Sequence, residues 1–311
     1  MRPALALLTL ALLAGCSSPG GDATPAAAPP PAAAVLGDPA TVDWCALLDP
    51  APLTAHGSPS PATADGYDAC HTSVSGPVSM ILRVGAQDLE YPGSLAVGTR
   101  RADDGTSVIT QYEDSVECSK LLELPGGARV LVRVEVRGEP LATGTACAVA
   151  DAELTSLRTT LMSGTPVAHV RADPGSARTA DPCAAVPADL AAAPGLAGTT
   201  PRRGPLSHHC TWEATPGTGE GPWMFVTLSW ETRDSGQFRE HRTIEGQEVS
   251  GILSDLGRGP CVLILPLRPV AGGADGDVET VEVKYLPPTA GTDPCVVAAK
   301  VAAGVKKAVV A

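Results

Sequence analysis

The sequence contains no asparagine and only ten aromatic side chains in 311 residues: four Trp, four Tyr and two Phe. Its cores must therefore be filled mainly by Val, Leu and Ala, without the large area an aromatic ring buries. Basic residues are also scarce. Lys plus Arg is 22 against 34 for Asp plus Glu, a formal net charge of −12. A nucleic-acid binder needs a basic face, so that class of partner is not expected. No apolar run reaches the roughly 18 to 20 residues of a membrane-spanning helix. The sequence has no GxSxG, HExxH, GxGxxG, P-loop or CxxC. Nothing local marks a nucleophile with its base, a metal site or a cofactor cradle. The expectation is of no catalytic residue, no metal and no cofactor. What is abundant is Gly, 33, and Pro, 30, which implies many turns.

The N-terminus sets an address. Arg2 precedes an apolar run over residues 4–14, ending in Leu13-Ala14-Gly15-Cys16. That run is too short to span a bilayer and fits a secretory signal. Its end resembles the bacterial lipobox, in which the Cys thiol is acylated and the peptide is cut just before it. This reading makes residues 1–15 a signal peptide and Cys16 a lipidated N-terminus. A Cys carrying more than one acyl chain anchors stably. The expected location is the outer face of the cytoplasmic membrane, with the lipid as the only membrane contact. Residues 16–41 then form a tether rich in Ala, Pro, Gly and Ser, too poor in large side chains to fold. A second polar stretch over 164–179 reads as a linker.

The eight remaining cysteines repeat one pattern. Cys45, Cys70, Cys118 and Cys147 are spaced by 25, 48 and 29 residues; Cys183, Cys210, Cys261 and Cys295 by 27, 51 and 34. Local context repeats as well. Asp43-Trp44-Cys45 matches Asp181-Pro182-Cys183, and the apolar run opened by Cys118 matches the one opened by Cys261. We read a tandem duplication, with domains over 42–163 and 180–311.

Each copy carries the same periods. Asp181 followed by Pro182 is a helix start, because the carboxylate accepts unsatisfied N–H groups and Pro suits the first helical position. Asp43 and Asp293 read alike. Ala150, Leu154, Leu157 and Leu161, and then Val297, Val301, Val305 and Val309, fall at helical spacing. Between the helices the period is two: Val78, Met80, Leu82 and Val84; Val130, Val132, Val134 and Val136; Met224, Val226, Leu228 and Trp230; Val281, Val283 and Tyr285. The predicted fold class is α+β: two tandem helix–antiparallel sheet–helix domains, each stapled by two disulfides. Four cysteines allow three connectivities per copy. Closing the shorter loops favours Cys45 with Cys70, Cys118 with Cys147, Cys183 with Cys210, and Cys261 with Cys295.

The lipobox, the tether, Asp181-Pro182-Cys183, Cys210-Thr211-Trp212 and the Cys-headed final helix together resemble a family of actinobacterial cell-envelope lipoproteins. Their disulfide-bonded domain is of unknown function. That domain is distantly similar to the extracellular sensor domains of some mycobacterial Ser/Thr kinases. The first copy departs from the pattern, with Trp44 in place of the Pro and Thr72 where Trp212 stands. The resemblance implies a fold and a location rather than an activity.

One surface is a candidate for binding. Alternation puts Trp230 on the core face and Trp223 and Phe225 on the opposite face, either beneath another element or open as an aromatic groove. His208 and His209 read as a surface or strand-flanking pair, with pH sensing as the rival reading. Asp103-Asp104 beside Gly105 reads as a turn, with a metal or acid/base pair as the rival reading. The functional expectation is a non-catalytic, lipid-anchored binding or scaffold protein whose partner is an envelope protein, lipid or glycan. The rival expectations are a cryptic envelope hydrolase and a purely structural wall-associated lipoprotein.

Overall fold

The structure is a computed structural model. It describes residues 32–76, 78–86, 98–101, 104–204, 206, 208–215, 221–232, 241–250, 260–271, 273–288 and 293–310. The expected signal peptide over 1–15, the expected lipidation site Cys16 and residues 17–31 of the expected tether lie outside the described residues.

The period-two runs are strands. In the first half, β1 (Thr63–Asp65), β2 (Ala69–Val74), β3 (Val78–Ala86), β4 (Gly98–Arg101), β5 (Ser107–Glu113), β6 (Glu117–Glu123) and β7 (Arg129–Gly138) form one antiparallel sheet. Its order is β1-β2-β3-β7-β6-β5-β4. In the second half, β8 (Arg202–Arg203), β9 (His209–Glu213), β10 (Trp223–Thr232), β11 (His241–Ile244), β12 (Gln247–Ser250), β13 (Cys261–Pro269) and β14 (Asp277–Leu286) form another. Its order is β11-β12-β13-β14-β10-β9-β8. The helices are α1 (Ala32–Leu36), α2 (Trp44–Leu47), α3 (Thr145–Met162), α4 (Pro182–Ala185), α5 (Ala188–Ala191) and α6 (Pro294–Val310). The class is α+β, with the two sheets dominant.

The long helices α3 and α6 lie across β6 and β7, and across β13 and β14. The first core joins Met80, Leu82 and Val84 and the valines of β7 to Ala150, Leu154, Leu157 and Leu161. The second joins Met224, Val226, Leu228, Val281, Val283 and Tyr285 to Val301 and Val305. Each buried Val or Leu contributes about 1.5–3 kcal/mol. The short helices start on their caps. Asp43 Oδ1 accepts the N–H groups of Cys45 (3.0 Å) and Ala46 (3.2 Å). Asp181 Oδ1 accepts those of Cys183 (2.8 Å) and Ala184 (3.3 Å). Pro187 then holds Val186 extended, which stops α4 after four residues.

All four cysteine pairs of the short-loop pairing sit at disulfide distance. Cα–Cα separations are 5.1 Å for Cys45 with Cys70, Cys118 with Cys147, and Cys183 with Cys210, and 5.2 Å for Cys261 with Cys295. They tie α2 to β2, α3 to β6, α4 to β9 and α6 to β13.

Two segments expected to be featureless are built into the fold. The tether was expected to run to residue 41, but residues 32–36 are helical and Leu36 is buried in the first core. Val35 and Leu36 are the large aliphatics at the end of an Ala/Pro run, and their burial ends the tether ten residues early. The stretch expected as a linker is ordered too. His169 bridges to Val42, Val167 joins the first core, and Ala177–Thr179 forms a 3-10 turn capped by Ser176.

Candidate functional site

The sequence nominated Trp223 and Phe225. Both lie on the face of the second sheet turned away from α6. There, Trp223 sits opposite Glu213 and Leu286, and Phe225 opposite Thr211 and Lys284. The two rings meet edge to face with centroids 4.8 Å apart, and the His209 ring stands at 6.3 Å from Phe225. Phe225 is only 5% exposed, whereas Trp223 is half-buried. The patch is therefore not an open groove formed by two rings. Phe225 is its floor and Trp223 its accessible element. Arg202 pairs with Glu213 beside Trp223, and Lys284 with Glu282 at 3.1 Å. The Thr211 hydroxyl, fully buried next to Phe225, has no hydrogen-bond partner. The result is a surface on which one accessible ring stands beside two ion pairs.

A cluster of titratable groups lies elsewhere, where the first half meets the second. The turn between β1 and β2 carries Gly66, Tyr67 and Asp68. Gly66 has φ of +67°, and a methyl group there would fall 2.3 Å from Ser229 Oγ on β10. Gly85 serves the same turn, since a side chain on it would strike the Asp68 carbonyl at 2.3 Å. With both positions bare, Tyr67 enters the second core, while Leu206 enters the first.

Around Tyr67 the polar groups are tied to one another. Glu279 on β14 accepts the Ser176 hydroxyl at 2.5 Å, the Ala177 N–H at 3.1 Å and Arg268 Nε at 2.8 Å. Burial pushes the Glu279 carboxyl up, but Arg268 and these donors outweigh it and hold it below its ordinary value. Burial, reinforced by Glu279, raises the Tyr67 phenol. The Arg178 guanidinium lies over the Tyr67 ring, 4.7 Å from its centroid. His208 is 1% exposed. Its N–H donates to Asp68 Oδ2 at 2.7 Å, its Nδ1 lies 2.5 Å from Asp68 Oδ1, and its Nε2 lies 2.5 Å from the Arg178 carbonyl oxygen.

The pair flanks a strand, as one half of the expectation has it, with His209 opening β9; the surface half is corrected, since His208 is enclosed by the turn of the first half and His209 is buried against Phe225. Tyr67, Asp68, Ser176, Arg178, Arg268 and Glu279 carried no signal in the sequence. The bonds between Asp68 and His208, and between Ser176 and Glu279, span 140 and 103 residues.

A third group is Glu153, which the apolar pattern of α3 did not mark. It is fully buried on the core side of that helix. Oε1 accepts the Asp49 N–H at 3.2 Å, while Oε2 has no partner. Burial, and then the neighbouring Asp49, raises its pKa to about 8. Asp104 lies in the expected turn and accepts the Thr106 N–H at 3.0 Å and Arg158 Nε at 2.7 Å, while Asp103 lies outside the described residues.

At the junction both His208 ring nitrogens face protein acceptors and the Ser176 hydroxyl donates to the Glu279 carboxylate, while the buried Tyr67 hydroxyl has no hydrogen-bond partner. Among the described residues, no group of three or more His, Cys, Asp or Glu is placed to hold a metal ion, and no helix is long and apolar enough to cross a membrane. No family model matches the chain, and neither a curated protein nor a solved structure matches it.

Proposed function

We propose that the chain is a lipid-anchored, extracytoplasmic binding or scaffold protein of the cell envelope, made of two tandem copies of one domain. The observation that carries the binding reading is the division of labour just described. His208, Asp68, Ser176 and Glu279 are paired with one another or with backbone at the junction, while the Trp223 face offers a half-buried ring beside the Arg202 guanidinium and the Lys284–Glu282 pair.

The duplication is supported by strand order. Read from the edge strand β8, the second sheet runs 8-9-10-14-13-12-11, which is the order of the first sheet element for element. Each half also opens with a 3-10 turn, a carboxylate-capped four-residue helix carrying a Cys, and a bridge to the second strand. Export is supported by the four cysteine pairs, since such pairs persist in oxidising compartments. Anchoring rests on the lipobox at Cys16. The partner is an envelope protein, lipid or glycan, and membership of the actinobacterial envelope lipoproteins is part of the same proposal.

The experiment pairs two measurements on protein from an exporting host. Mass spectrometry of the native N-terminus reads the acyl chains on Cys16, which Cys16→Ser must abolish together with membrane retention. A photo-crosslinker at position 223 then reads what lies against that face. A lipidated Cys16 and one recurring envelope partner lost with Arg202→Ala are expected. Turnover of an envelope substrate, abolished by a single substitution, would overturn the non-catalytic reading.

A further inference from the structure

The contacts across the junction pair like with like. Asp68 stands two residues before Cys70, and His208 two residues before Cys210. Each is fixed in the same way by its own sheet. The Asp68 carbonyl accepts the Ala86 N–H at 2.7 Å, and the His208 carbonyl accepts the Leu228 N–H at 2.8 Å. Ala86 and Leu228 each follow by two residues the valine opposite that cysteine, Val84 and Val226. Asp68 and His208 are thus one position in the two halves, and they bond each other. Asp68 Oδ2 accepts the His208 N–H at 2.7 Å, and Oδ1 lies 2.5 Å from Nδ1.

The pattern extends outwards. Tyr67 and Leu206 each stand three residues after the residue opposite the same cysteines, Ala64 and Arg203. Each is buried in the core of the other half. The 3-10 turns over Pro39–Thr41 and Ala177–Thr179 each end two residues before a capping aspartate, and they lie against each other. Unrelated patches bring unrelated positions together. Equivalent positions meet one another where a two-fold axis runs between them.

We propose that the junction is an isologous interface, and that the partner this surface is built to take is a second copy of the same domain, supplied here by the same chain. The inference rests on the reading of the halves as tandem copies. Asp68 and His208 lie on the axis, and Tyr67 and Leu206 are the reciprocal plugs beside it. The axis also names a contact that is not yet made. His208 Nε2 lies 2.5 Å from the Arg178 carbonyl oxygen. Arg178 stands three residues before Asp181, as Ala40 does before Asp43, so the Ala40 carbonyl is the equivalent acceptor on the other side.

The test exchanges the axial pair in the full mature chain. His208→Asp alone sets two carboxylates against each other. It is expected to lower hydrogen-exchange protection of the Ala86 and Leu228 amides about tenfold. Adding Asp68→His is expected to restore it, with the contacts mirrored: the new carboxylate at position 208 accepts the N–H of residue 68, and the new ring at position 68 faces the Ala40 carbonyl. A crystal structure of the exchanged chain reads these atoms. No recovery, or side chains turned away from each other, would overturn the interface. The tandem-copy reading fails separately, if only one of the Ala86 and Leu228 amides is protected in the native chain. A second measurement does not need the exchanged chain to fold. A protease site inserted at exposed Gly164 and cut after folding leaves the halves without a covalent link, because each of the four cysteine pairs lies within one half. The fragments are expected to elute as one particle at micromolar concentration, and fragments that separate would overturn the proposal.

Discussion

Glu153 makes the stability of the protein depend on pH in a direction opposite to that of most carboxylates. The group is fully buried on α3, with its Oε2 unpartnered and Asp49 as its nearest charge. Its pKa is raised from an ordinary 4.5 to about 8. A raised pKa means the folded chain holds a proton that the unfolded chain has given up. The associated stability is complete below pH 4.5 and is lost as pH rises towards 8. The slope is about 1.4 kcal/mol per pH unit, so the full swing is about 5 kcal/mol. That is a large part of the 5–15 kcal/mol or so that holds a typical domain folded.

Glu153→Gln reproduces the protonated form. Its amide oxygen still accepts the Asp49 N–H, and its NH2 occupies the place of the partnerless oxygen. Urea denaturation from pH 5 to pH 9 is the assay, with stability compared at each pH. At pH 5 the variant should lie within about 1 kcal/mol of the native chain. By pH 8.5 it should be the more stable protein, by an amount approaching 5 kcal/mol. Taking the difference between two proteins removes every other titrating group. Parallel pH profiles would refute the reasoning, because they would mean that Glu153 ionises in the fold as freely as in the unfolded chain.

The opposite sign is expected at Asp104. Arg158 and the two bonds from Thr106 outweigh its burial and lower its pKa to about 2, so its contribution is present above pH 3.8 and fades as pH falls to 2. Asp104→Asn should flatten the acid limb of the urea profile by about 1 kcal/mol, the value left once screening around half-exposed Arg158 is allowed for. Removing both Cys261 and Cys295 opens a loop of 34 residues, and should lower stability by about 4 kcal/mol in the same titration. Gly66→Ala should cost about 1–3 kcal/mol and weaken exchange protection of the β1–β2 turn first, since both its positive φ and the approach of Ser229 oppose a methyl group.

What could be read from the sequence was what repeats at short range. Val130 to Val136 alternate because one face of β7 is buried, and a period of two survives any tertiary arrangement. Asp43 and Asp181 announced their helices because a cap and the N–H groups it accepts lie within three residues. The cysteine pairing followed from spacing, because a pair that closes a short loop joins neighbouring elements. Phe225 was correctly placed on the far face of its strand. Its burial, however, depends on what lies against that face, which alternation does not encode.

The junction was invisible for the complementary reason. Tyr67 stands in a turn with no periodic neighbours, and nothing in Asp-Gly-Tyr-Asp distinguishes a solvated turn from one driven into another core. Composition misleads further at residues 32–36, where an Ala-rich stretch looks like tether until Leu36 finds a hydrophobic site on the first core. Yet the junction has a logic under the proposed duplication. If the halves are copies, the β1–β2 turn and the stretch that leads into β9 are equivalent, and it is from these two that Tyr67 and Leu206 enter the opposite cores and Asp68 meets His208. Contact between equivalent surfaces is the mark of a two-fold association. The junction then has the form of a dimer interface retained within one chain, in which only one side needed a histidine because the other already carried the carboxylate.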